Sequence, residues 1–166
     1  MAKKTMLVLA IAALTTGLVL AQEGRAKHTI VGGLNAGLLA FGVDVEYEWI
    51  LVENFIGKGQ FGAVVEAGFT TVLIFPILYE DARARWYPWS GAFFLDLGVG
   101  HGSFLGLVSA LLVSGGIGWR IDIGAPDGWV FIPGISYNHF FSFGRYNGGK
   151  FSGMLPKISL KMGKTL

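Results

Sequence analysis

Between residues 43 and 49 the chain reads VDVEYEW, and its apolar and acidic side chains alternate with period two. Val43, Val45, Tyr47 and Trp49 fall on one face, and Asp44, Glu46 and Glu48 on the other. A helix would scatter the three acids around its circumference, so the alternation predicts a strand. The rhythm recurs. Residues 60–70 set Phe61, Ala63, Val65, Ala67 and Phe69 against Glu66 and small neighbours, and residues 81–89 oppose Asp81, Arg83, Arg85 and Tyr87 to Ala82, Ala84, Trp86 and Pro88. Residues 91–100 turn Asp96 inward with Phe94 and Gly98 and present Phe93, Leu95, Leu97 and Val99 outward.

Further along, residues 115–124 place Ile117, Trp119, Ile121 and Ile123 on one side and Arg120 and Asp122 on the other. Residues 129–138 oppose Trp129, Phe131, Ile135 and Tyr137 to Val130, Ile132, Ser136 and Asn138. Residues 154–166 send Ile158, Leu160 and Met162 one way and Lys157, Ser159 and Lys161 the other. With a first strand over 29–38, the pattern predicts eight strands. Residues 39–42 would be an unusually short connection, so a reading of 34–50 as one long strand, with an odd count, stays open beside it. Trp89-Ser90-Gly91 and Ala125-Pro126-Asp127-Gly128 read as turns from their residue types. Residues 103–110 are expected to be a connection, and the polar, glycine-rich stretch SFGRYNGGKFS at 142–152 a loop.

Composition says which solvent these strands meet. The chain is 52% hydrophobic and only 14% charged, whereas a soluble domain carries about 25% charged residues. Beyond the N-terminus, no uninterrupted apolar run reaches the roughly 18 to 20 residues that a spanning helix needs. Glycine fills 26 of the 166 positions, which disfavours helical bundles. In lipid every backbone polar group must find a partner within the protein, and strands achieve that only in a closed ring. The prediction is therefore an all-β, antiparallel eight-stranded transmembrane β-barrel with up-and-down meander topology. Both termini and the turns at 90–91 and 125–128 would face the periplasm, with 142–152 outside the cell. Trp49, Trp86, Trp89, Trp119 and Trp129 are expected to anchor the barrel at the membrane interface.

The N-terminal 21 residues read as a secretory signal, with Lys3 and Lys4 as the positive region, Met6 to Ala13 as the apolar region and Val19-Leu20-Ala21 before the cleavage point. A mature barrel domain over 22–166, beginning at Gln22, is expected. The absence of cysteine rules out disulfides, thiolate metal sites, cysteine nucleophiles and a lipoprotein anchor. The net charge of +2 is concentrated at the N-terminus, where Lys3, Lys4, Arg25 and Lys27 lie, so no nucleic-acid surface is expected.

On the predicted register the lumen receives Asp44, Glu46, Glu48, Glu66, Asp81, Asp96 and Asp122 together with Arg83, Arg85, Arg120, Lys157 and Lys161. An eight-stranded barrel is only wide enough for side chains to fill, so these groups are expected to form an internal charge network rather than line a conducting pore. GVGHG at 98–102 has no helix or downstream acid in a βαβ setting, so it is no dinucleotide loop. His28, His101 and His139 lack metal-ligand spacing. No cofactor or metal is expected.

VDVEYEW at 43–49, ARARWYPWSGAFFLDLGVG at 82–100 and the alternating end PKISLKMGKTL resemble the small outer-membrane β-barrel superfamily that includes outer membrane protein W, opacity-like and outer-membrane-protein-A-like barrels. Two features depart from the pattern: the final residue is Leu166 rather than an aromatic, and the tip of 69–78 is apolar. The resemblance implies a structural or surface role, or passage of small hydrophobic molecules. It also implies outer-membrane lipid and lipopolysaccharide-like lipids as surroundings, the export and barrel-assembly machineries as partners, and a monomer.

The alternative is a lipid A modifying hydrolase, since barrel deacylases use Ser, His and Glu on the lipid-facing wall. Here His101 and Ser103 share a strand face and His139 lies near Ser136 and Ser142 in sequence. No glutamate follows Glu80, and Asp122 and Asp127 are assigned to the lumen and a turn. The expectation is a protein without enzymatic activity.

Overall fold

The computed structural model describes residues 27–89, 91–104, 108–124, 127–142 and 152–166. The expected signal segment, the start at Gln22, Ser90, the Ala125-Pro126 pair and all but the ends of the 142–152 loop lie outside the described residues.

The chain forms β1 (His28–Ala36), β2 (Ala40–Phe55), β3 (Gly59–Val72), β4 (Phe75–Tyr87), β5 (Phe93–Phe104), β6 (Val108–Trp119), β7 (Ile121–Ile123), β8 (Trp129–Ser142) and β9 (Ser152–Thr165). Each pairs antiparallel with its neighbour, β1 pairs with β9, and β6 and β7 both lie against β8. The register with β8 is the same on both sides of the break, Gly118 opposite Gly134 and Ile121 opposite Phe131. β6 and β7 are thus one wall, interrupted where the backbone N–H of Arg120 turns to the carbonyl of Ala92 at 2.8 Å. The result is a closed ring of eight strands, as the alternation predicts. Closure leaves no strand edge unpaired, which is what lipid demands.

Several boundaries differ from those expected. The first connection is Gly37 to Leu39 rather than 39–42, closed by the Gly37 N–H donating to the Ala40 carbonyl at 2.7 Å, so 34–50 is not one strand. Of the connection expected over 103–110, Ser103 and Phe104 instead end β5 and Val108 to Ala110 open β6. β4 starts at Phe75 instead of 81, and β8 runs on to Ser142. One cause serves all of these. At the end of the barrel far from the termini the lumen is apolar, packed with Ile77, Tyr79, Ala110, Leu112 and Phe140. Both strand faces are hydrophobic there, and the polar alternation that marks a strand in sequence vanishes.

The interior is layered. Near the termini Val31, Ile50, Tyr87, Phe94, Val130 and Ile132 form an apolar cluster, the charged side chains fill the middle, and the second apolar cluster closes the far end. All five tryptophans lie toward the terminal rim: Trp49 opposite His28, Trp86 and Trp89 at the end of β4, Trp119 at the end of β6 and Trp129 opening β8. The far rim instead carries apolar tips. The Leu73 N–H donates to the Leu39 carbonyl at 2.9 Å, joining two turns whose Leu38 and Ile74 side chains are 92% and 83% exposed.

Candidate functional site in the lumen

The inward positions of β2 recur every second residue, so Asp44, Glu46 and Glu48 descend one inner wall and all three are buried. Glu66 on β3 stands opposite Glu46, and Asp81 on β4 opposite Glu66. Arg83 and Arg85 continue down β4, Asp96 faces in from β5, Arg120 and Asp122 enter at the β6–β7 break, and Lys157 and Lys161 come from β9. All twelve side chains singled out from the sequence therefore line one interior. Unpaired, each would suffer a large desolvation penalty, so geometry decides whether the arrangement is tolerable.

Arg85 is the hub. Its Nε and Nη2 donate to the two oxygens of Asp96 at 2.8 and 2.9 Å, and its Nη1 to Glu46 Oε1 at 2.5 Å. The guanidinium also lies over the Phe94 ring, 4.0 Å from its centroid. Below it, Arg120 Nη1 reaches Glu48 Oε2 at 2.6 Å and Nε reaches Asp122 at 2.9 Å, while the Tyr87 hydroxyl donates to the other oxygen of Glu48 at 2.5 Å. Above it, Arg83 bridges Asp81 at 2.8 Å and Glu66 at 2.9 Å.

Lys161 donates to Glu46 at 2.7 Å and also to Glu66. Lys157 donates to Glu66 at 2.7 Å and to the Tyr79 hydroxyl at 3.0 Å. Asn35 and Tyr79 complete the top of the network by donating to Asp44 Oδ2 at 3.0 and 3.3 Å. Each arginine and Lys161 thus touches at least two carboxylates, and Lys157 has Asp44 3.9 Å away besides Glu66. Asn35 and Tyr79 carry no charge that marks them in the sequence; the signal that finds Tyr79 is parity alone, since it is two residues before Asp81 on the same face.

A cavity of about 20 Å3 lies within this zone, bounded by Glu46, Arg83, Arg85, Asp96 and Lys161 among others. That is room for about one water molecule. The paired charges hold one another in place, and that cavity has no room for a larger solute. Toward the far rim the lumen opens into an apolar cup of about 350 Å3, whose lining includes Val72, Ile77, Phe104, Phe140 and Leu155.

On the outer wall, His101 and Ser103 do share a face, and Glu80 on β4 sits directly opposite His101 in the register. An acid beside this histidine is what chain order alone concealed. The expected proximity of His139 to Ser136 and Ser142 does not hold: alternation along β8 sends His139 outward and both serines inward. His139 Nε2 is instead 2.7 Å from Ser152 Oγ on β9, and its ring stacks on Phe141 with centroids 4.2 Å apart. His28 Nδ1 is 3.1 Å from the Tyr47 hydroxyl. Among the described residues, no group of three potential metal ligands occurs. Asp127 lies in the connection before β8.

No family model matches the chain, and no curated protein matches it. Among solved structures, the backbone structure of the Yersinia pestis outer membrane protein Ail in a phospholipid bilayer nanodisc is similar at 12% sequence identity, covering 82% of this chain and 99% of that one with a TM-score of 0.43.

Proposed function

We propose that the chain is an outer-membrane β-barrel with a structural role in the membrane, its termini at the periplasmic side. The single observation that supports this reading most is the inversion of the usual arrangement: charge inside, hydrophobe outside. Leu97, Val99, Ile158, Leu160 and Met162 are exposed around the wall while Arg85, Arg120, Glu46 and Glu48 are among the most deeply buried side chains. Water cannot be the solvent for that outer wall. Export and barrel-assembly machineries would deliver it, and lipid would surround it.

At two of the far-rim connections, Gly37 to Leu39 and Leu73 to Ile74, the chain barely rises above the strands. One feature argues against conduction. The ionic zone closes the lumen. The test is far-UV circular dichroism of detergent-folded protein together with electrophoresis before and after boiling. A strand-dominated spectrum with heat-modifiable migration is expected; a helical spectrum or unchanged migration would refute the barrel.

A second reading, passage of small hydrophobic molecules, draws on the apolar cup. Its floor is closed by Tyr79, Ala110 and Leu112, so a solute entering it would have to leave sideways into lipid. Flux of an apolar dye into liposomes, compared with a Leu155→Trp variant that fills the cup, tests this: no flux above empty liposomes removes it. For the hydrolase alternative, lipid A mass after expression is decisive, with His101→Ala and His139→Ala as controls. An unmodified profile from the parent chain sinks that reading.

A further inference from the structure

The wall formed by β3, β4 and β5 sets an outward carboxylate, Glu80, beside an outward imidazole, His101, whereas the outward His139 on β8 has Val113 and Met154 as its cross-strand neighbours. Glu80, exposed on β4, lies midway along the strand between Trp86 near the terminal rim and Phe75 at the far rim. With His101 across from it, it puts a carboxylate and an imidazole at the depth of the hydrocarbon core. Ionisable groups at that depth are expensive, and where they occur they mark a contact other than lipid. The ester groups of lipids lie at the interface and not at the middle of the core, so the position suits a protein contact better than ester chemistry.

The surface around the pair is concave. Two hollows of about 580 and 520 Å3 share Glu80, His101 and Ala67, and the larger also reaches Tyr47, Val65 and Ala82. Alanines at outward positions let two walls approach closely, which is how membrane-embedded surfaces gain packing in the absence of a hydrophobic drive. Directly across the ring, β9 and β1 present Ile158, Leu160, Met162 and Leu34, bulky and uncharged. His139 on β8 also faces outward on that side, bonded to Ser152, but no outward carboxylate stands beside it among the described residues.

We infer that the β3–β5 wall is the interface of a membrane-embedded homodimer, in which Glu80 of each copy meets His101 of the other. The occupant is a second copy because the pair is self-complementary: a two-fold axis beside it brings acid to base twice, with no other partner chemistry required. This is an alternative to the monomer that the resemblance implies, and it rests on the reading of the chain as a membrane barrel.

The chain has no cysteine, so a single introduced thiol reports directly. Ala82→Cys would lie near the axis, and Leu160→Cys on the opposite wall measures random collision. In lipid vesicles under mild oxidation, Ala82→Cys is expected to give at least tenfold more disulfide-linked dimer than Leu160→Cys. Adding Glu80→Gln should cut that yield severalfold, and the exchange Glu80→His with His101→Glu should restore it. Equal yields from the two thiols, in protein that is inserted and heat-modifiable, overturn the dimer and assign the pair to lipid or to a different protein. Protein that never becomes heat-modifiable indicts the barrel reading instead, so the two failures are distinguishable.

Discussion

Arg85 grips Asp96 through two parallel hydrogen bonds, Nε to Oδ1 at 2.8 Å and Nη2 to Oδ2 at 2.9 Å, between residues that face each other directly across β4 and β5. A fork-to-fork contact of this kind fixes both strand register and side-chain orientation. Breaking it from one side strands a buried charge, so Asp96→Leu should lower stability by about 3–5 kcal/mol. Arg85→Met combined with Asp96→Leu should lose less than the two single losses added together. Denaturant unfolding in vesicles measures the cycle, and strict additivity of the two single effects would show that the pair is not coupled.

Gly163 closes the ring. A Cβ there would come within 1.9 Å of the Ile30 carbonyl oxygen and 2.5 Å of Val31 Cα, both backbone atoms of β1. Backbone paired in a sheet cannot step aside, so Gly163→Val should prevent β9 from sealing against β1. The expected result is loss of the heat-modifiable form after refolding, and a normal yield of that form would show that the seam tolerates a side chain.

Leu97 is 69% exposed on the outer face of β5. If lipid covers it, Leu97→Arg should destabilise the barrel by about 2–4 kcal/mol, the range for a cation near the bilayer middle. The reading is the shift in unfolding midpoint in vesicles. A shift near zero would place water on that face.

Leu73 adopts φ 57° at the tip joining β3 to β4, a left-handed conformation that a branched side chain holds at a cost of about 1–2 kcal/mol and asparagine holds more easily. Leu73→Asn should therefore raise stability by about 1 kcal/mol. A loss of stability would mean that apolar contact at the tip outweighs the strain.

The sequence by itself determined the closed antiparallel barrel and the inward charges, since alternation decides which side chains point in and lipid permits only a closed ring. Asp44, Glu46, Glu48, Arg83 and Arg85 were legible because acids and bases stood every second residue among hydrophobes. Only the tertiary structure decided the strand ends near Phe75, Phe104, Val108 and Ser142, because an apolar lumen removes the alternation there. It alone decided the pairings as well: Lys161 and Glu46 are far apart in the chain, and closure of β9 onto β1 is what brings the ammonium to the carboxylate at 2.7 Å. Glu80 beside His101 belongs to the same class. Cross-strand neighbours are fixed by register, and register is set by the turns and by ring closure, which no local pattern records.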